Sequence, residues 1–100
     1  MIFKLGEKKD CGIIIKSVEG GKFEFVTADY KYVAYKTGEI LEFGGANFNS
    51  TTGRVWHLLE PTIYGSLIFT VSIQPLLLDT GLADSTKDIE IIKGEALVKI

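Results

Sequence analysis

The residues best suited to chemistry in this chain of 100 sit together in LLLDTGLADS, Leu76–Ser85. The apolar run ends in Asp79-Thr80-Gly81, and a carboxylate such as Asp79, if brought beside a second one, could share a proton with it and activate water. Asp79 and Asp84 are also conceivable calcium ligands, but their spacing does not meet the D-x-[DN]-x-[DN]-G pattern of a calcium loop. Cys11 is the single cysteine and His57 the single histidine. An internal disulfide is therefore excluded, and neither a Cys-His nucleophile pair nor a four-ligand zinc site is expected. No Ser-His-Asp set gathers around His57, and the G-x-x-x-x-G-K-[ST] phosphate loop is missing. The residues imply no catalytic, cofactor-binding or metal-ligating set.

The segments that would have to position Asp79 do not suit it. The Asp-Thr-Gly loop resembles that of the retroviral aspartic proteases, which are homodimers of about this chain length. In that family a strand delivers the aspartate, and a substrate-covering flap and a second apolar-Gly segment follow. Here Pro75 ends the preceding strand, because proline has no N–H to give a ladder. Only 19 residues follow Gly81, too few for both later segments. Asp79 is expected to be inert, and a homodimeric aspartic-type protease using Asp79-Thr80-Gly81 stands as an alternative.

Composition narrows the rest. One hundred residues, 46% of them hydrophobic, supply one domain spanning 1–100 with one dense core. Eleven basic against 13 acidic residues give a net charge of −2, and no Lys/Arg cluster forms a nucleic-acid footprint. No run of about 18 apolar residues spans a membrane. The opening MIFKLGEKKD lacks the apolar stretch of a secretion signal.

Strand signals dominate the chain, with β-branched and aromatic residues in short alternating runs. Strands are expected at Ile2–Leu5, Cys11–Val18, Phe23–Thr27, Asp29–Lys36, Ile40–Phe43 and Arg54–Glu60. A Gly20-Gly21 hairpin turn precedes Phe23, and a long loop fills Gly44–Gly53. The clearest strand is SLIFTVSIQ, in which Leu67, Phe69, Val71 and Ile73 share a dry face. The last segment, KDIEIIKGEALVKI, changes parity: Ile89 and Ile91 are odd, while Ala96, Val98 and Ile100 are even. A fixed core side demands a fixed parity, so a β-bulge at Lys93-Gly94 with positive φ at Gly94 is expected. A hairpin at KGEA is the rival. Turns every 8–12 residues predict an all-β fold, an antiparallel immunoglobulin-like β-sandwich of about seven strands with Trp56 plugging its core.

The order KSVEGGKFEF, YKTGEI, GRVWHLLEPT, GSLIFTVSI and a closing I-x-I-I-x-G-E-A-x-V is similar to small immunoglobulin-like proteins of tailed phages and prophages. It resembles in particular the N-terminal domain of baseplate upper proteins and related tail modules. The resemblance implies a non-enzymatic structural or adaptor module of a baseplate or fibre. Its partners would be other phage structural proteins, with homo-oligomers or a larger assembly, and neither nucleic acid nor membrane. It further implies the host bacterial cytoplasm during assembly and the virion afterwards. The residues add Leu76, Leu77 and Leu78 as a candidate partner interface, since an apolar run in a loop must fold over the core or meet another chain. A small carbohydrate- or peptide-binding sandwich, with Tyr30, Tyr32 and Tyr35 as platforms, is a further alternative.

Overall fold

Strict alternation in Gly65–Pro75 makes an inner strand with one apolar side, and the larger of two sheets is built around it. The computed structural model describes residues 7–16 and 21–99. Seven strands follow in chain order: β1 (Lys9–Ile14), β2 (Phe23–Ala34), β3 (Ile40–Gly45), β4 (Asn47–Asn49), β5 (Arg54–Leu59), β6 (Gly65–Pro75) and β7 (Glu90–Val98). All pairings are antiparallel. One sheet has the order β1-β5-β4 and the other β3-β2-β6-β7. The described residues contain no helix. The expected strand at Ile2–Leu5, Gly20 of the expected turn and the terminal Ile100 lie outside the described residues.

The two sheets close over one apolar core. Cys11, Val55 and Leu59 come from the smaller sheet, and Phe25, Tyr30, Tyr32, Leu67, Phe69, Val71, Ile73 and Val98 from the larger. Leu67, Phe69, Val71 and Ile73 are at most 1% exposed, as their shared parity requires. Fully burying each of these side chains contributes about 1.5–3 kcal/mol. The architecture is an all-β sandwich.

The bulge expected near Gly94 is not there, and neither is the rival hairpin. Strand β7 pairs with β6 without a register shift from Glu90 to Val98, and Gly94 is not among the glycines with positive φ. Parity is even throughout: Ile92, Gly94, Ala96 and Val98 face inward, while Ile89 (50% exposed) and Ile91 (70%) face solvent. The inward residue of the Ile91-Ile92 pair is the second, so no extra residue is needed. A Cβ at Gly94 would meet Cδ1 of Ile13 on the facing sheet, so that terminal methyl would have to turn aside to admit one.

A parity change with a bulge occurs in β2, where no glycine announced it. Phe23 and Phe25 are odd, but Ala28, Tyr30, Tyr32 and Ala34, which face inward after them, are even. Val26 is the extra residue: Phe25 pairs with Ile73 and Thr27 with Ser72. The expected strands Phe23–Thr27 and Asp29–Lys36 thereby become one strand of 12 residues. A second shift leaves Leu41 unpaired between Tyr32–Glu42 and Val33–Ile40.

Two further expectations are corrected. Trp56 does not plug the core: Val55 and Leu59 take the inward side of β5, and Trp56 lies half-buried on the outer face. There the Arg54 guanidinium stands 5.0 Å from its ring centroid, a favourable cation–π arrangement. The long loop Gly44–Gly53 contains strand β4, which pairs with β5 from Asn47–Trp56 to Asn49–Arg54. Asn49 then turns the chain, its Oδ1 accepting from the N–H of Thr51 at 2.9 Å and of Thr52 at 3.3 Å.

Candidate interaction surface

The run Pro75-Leu76-Leu77-Leu78 neither folds over the core nor stays a loose loop. It continues the direction of β6 into a short hairpin, with Leu76 bridged to Ala83. Asp84 N–H donates to Pro75 O, Leu77 N–H to Leu82 O, and Gly81 N–H to Leu77 O. Gly81 adopts φ 71°, the left-handed conformation that the tip turn needs. Leu76 is half-buried at the base, where its N–H donates to Lys22 O. Leu77, Leu78 and Leu82 are 39, 69 and 66% exposed. Three leucines thus project from one end of the sandwich on a hydrogen-bonded support.

The carboxylates of this hairpin serve its own turns. Asp79 Oδ1 accepts from Thr80 N–H at 2.9 Å in an exposed tip. Asp84 Oδ1 accepts from the Thr86 hydroxyl at 2.5 Å and the Thr86 N–H at 3.0 Å. Those donors hold the Asp84 carboxyl below its ordinary range.

Cys11 and His57 both pack into the fold. Cys11 is fully buried between the sheets, and burial pushes its thiol above the ordinary value, away from a reactive thiolate. His57 stacks on Tyr30 with ring centroids 3.7 Å apart and planes 17° apart. Its Nε2 lies 3.2 Å from Glu42 Oε1, which also accepts from the Tyr30 hydroxyl at 2.8 Å. This cluster ties β5 of the small sheet to β2 and β3 of the large one. Burial, reinforced by the Glu42 carboxylate, pushes the Tyr30 phenol up to about 12. The sequence reading missed Glu42 because it lies in the short run ILEF, where a charge looks like an outward residue. Among the described residues, no three His, Cys, Asp or Glu side chains gather to hold a metal.

Of the three tyrosines expected as ligand platforms, Tyr30 (8% exposed) and Tyr32 (2%) are core residues. The Tyr32 hydroxyl donates to the carbonyl of Ile63 and accepts from its N–H. It thereby anchors the loop that carries Tyr64. Tyr35 is exposed and meets Tyr64 edge-to-face, centroids 4.8 Å apart and planes at 90°. With Ala34, Lys36, Thr37, Glu39 and Ile63 they wall a cleft of about 540 Å³. Tyr64 carried no signal in the sequence, since only the fold brings the β5–β6 connection beside the end of β2.

No protein-family model, curated protein or solved structure matches this chain. No helix among the described residues is long and apolar enough to cross a membrane.

Proposed function

We propose that this protein is a non-enzymatic structural module of a phage or prophage tail, immunoglobulin-like in type, that works by docking on other chains of a baseplate or fibre. The observation that carries the reading is the leucine hairpin. Leu77, Leu78 and Leu82 stand in water on a support held by backbone hydrogen bonds. Exposed apolar side chains grouped at one end of a domain are costly unless something covers them. A projecting hairpin is also short enough to enter a recess on a neighbour without disturbing the sandwich behind it. The order of sequence segments supports a tail component as the source of that neighbour.

The test is incorporation into particles. Gradient-purified particles from an induced lysogen carrying the gene should contain the chain, detected by mass spectrometry. Leu78→Asp combined with Leu82→Asp should reduce its incorporation at least tenfold while leaving the purified protein folded. Absence of the wild-type chain from the particles would overturn the reading.

The Tyr35–Tyr64 cleft favours one second reading, a sandwich that binds a carbohydrate or short peptide. Aromatic rings with a polar rim suit either ligand. Chemical-shift changes confined to the cleft on adding a glycan or peptide panel, and lost in Tyr35→Ala, would support it over the docking module.

A further inference from the structure

The outward face of the β3-β2-β6-β7 sheet is patterned in rows that its register defines. One row runs Phe43, Lys31, Ile68, Glu95, and the next runs Gly45, Asp29, Thr70, Lys93. Each row carries one positive and one negative side chain, in opposite order across the sheet. Beyond the first row lie Val33, Ser66 and Leu97, and beyond the second lie Thr27, Ser72 and Ile91. Phe43 is 78% exposed, Ile91 70% and Leu97 37%. Among the described residues Asp29, Lys31 and Lys93 take part in none of the three ion pairs, which join Glu7–Lys9, Asp10–Arg54 and Glu42–His57. Glu95 accepts from the Ser66 hydroxyl at 2.7 Å.

We propose that this face docks on a second copy of the chain, face to face, about a two-fold axis crossing the strands over Gly44, Tyr30, Phe69 and Gly94. Rotation by 180° about that line exchanges the rows on either side of it. Lys31 of each copy then meets Asp29 of the other, and Glu95 meets Lys93. Phe43 falls on the space above Gly45, and Leu97 falls on Ile91. Every contact is reciprocated, as a two-fold interface requires. A two-fold axis running along the strands instead would set Lys31 against Ile68 and leave the charges covered without partners, which is strongly unfavourable. The charges therefore select the axis.

Geometry and area agree with a second copy. Two twisted sheets packed face to face cross at about 30°, and Asp29 and Lys31, on an inner strand and one row from the axis, lie close to the centre of that rotation. Overlap about the axis takes in roughly nine residues each of β2, β6 and β7 and the six of β3, so the sheet presents about 30 Å by 14 Å plus about 20 Å by 5 Å, or about 520 Å² of projected area. Side-chain relief brings this toward the ~800 Å² per partner of a standard interface. The inference deepens the docking reading by naming the chain itself as one partner, on a face separate from the leucine hairpin.

Sedimentation velocity of the purified chain tests it. At 100 µM and low salt the wild type should run at twice the 11.0 kDa chain mass, with dimerisation weakening as salt rises. Lys31→Asp should weaken the dimer at least tenfold by placing two carboxylates together. Adding Asp29→Lys in the same chain should restore wild-type affinity within about threefold. All three proteins should keep one unfolding transition, since both positions are exposed. A monomeric wild type would overturn the proposal, as would a dimer indifferent to Lys31→Asp or a double variant that is not rescued. A dimer abolished by Leu78→Asp but untouched by Lys31→Asp would assign self-association to the hairpin instead. A charge-dependent dimer missing from particles would refute the tail reading alone, and a monomer incorporated into particles would refute the dimer alone.

Discussion

Replacing Gly94 by alanine adds one methyl group to the inner face of β7, directly onto Cδ1 of Ile13. The other Ile13 atoms nearby, Cγ1 and Cγ2, would lie at 3.5 Å, an ordinary contact distance. The clash thus belongs to one terminal methyl. Overpacking a core typically costs about 1–3 kcal/mol, and losing a flexible glycine from the unfolded chain returns about 0.4–1 kcal/mol. Gly94→Ala should therefore destabilise by up to about 2.6 kcal/mol. Ile13→Val removes the offending methyl at a cost of about 0.5–1.5 kcal/mol. In that background only the glycine contribution remains, so Gly94→Ala should stabilise by about 0.4–1 kcal/mol, giving a favourable coupling of about 1–3 kcal/mol. Urea unfolding of the wild type, both single variants and the double variant closes the cycle. A Gly94→Ala cost that persists unchanged in the Ile13→Val background would refute the reasoning, since backbone strain at Gly94 does not depend on the side chain at position 13.

Two further outcomes follow from the core and the hairpin. The Tyr30 phenol is raised to about 12 in the folded chain, above the ordinary value of about 10. A folded-state value above the unfolded one stabilises the fold fully below about pH 10, and that contribution is lost as pH rises from about 10 to 12. Ultraviolet titration should show a phenol ionising at about pH 12 that is lost in Tyr30→Phe, and unfolding midpoints should fall across that window less steeply in Tyr30→Phe. Asp79→Asn should change stability by less than about 0.5 kcal/mol, and the wild type should show no inhibitor-sensitive peptide cleavage at acid pH. Cleavage abolished by Asp79→Asn would restore the acid-protease alternative.

Much of the sandwich was legible because period-two alternation reports burial directly. In β6 every odd side chain from Leu67 to Ile73 faces the core, as the pattern alone implied. The same logic failed at β7, where two isoleucines stand in sequence and only the facing sheet decides which of them is inside. It failed again at Val26, where a bulge needs no glycine and leaves no mark in composition. Trp56 was misplaced because size suggests a core plug, whereas Val55 and Leu59 had already claimed that side of β5.

The candidate surfaces divide along the same line. Leu76–Leu78 stood out in the sequence because an apolar run between Pro75 and Asp79 has no partner within its own segment. That Leu82 joins Leu77 and Leu78 at the tip follows from the bridge of Leu76 to Ala83. Tyr30, Glu42 and His57, spread over 28 positions including both ends, meet only because two sheets close over them. The row of Phe43, Lys31, Ile68 and Glu95 is likewise invisible until register aligns four strands. Alternation and turn chemistry are local, so the sequence by itself determined the all-β class, the inner strand and the exclusion of a disulfide within these 100 residues. Register, bulges and the meeting of distant strands depend on how side chains from separate segments fill one core, and only the tertiary structure decided them.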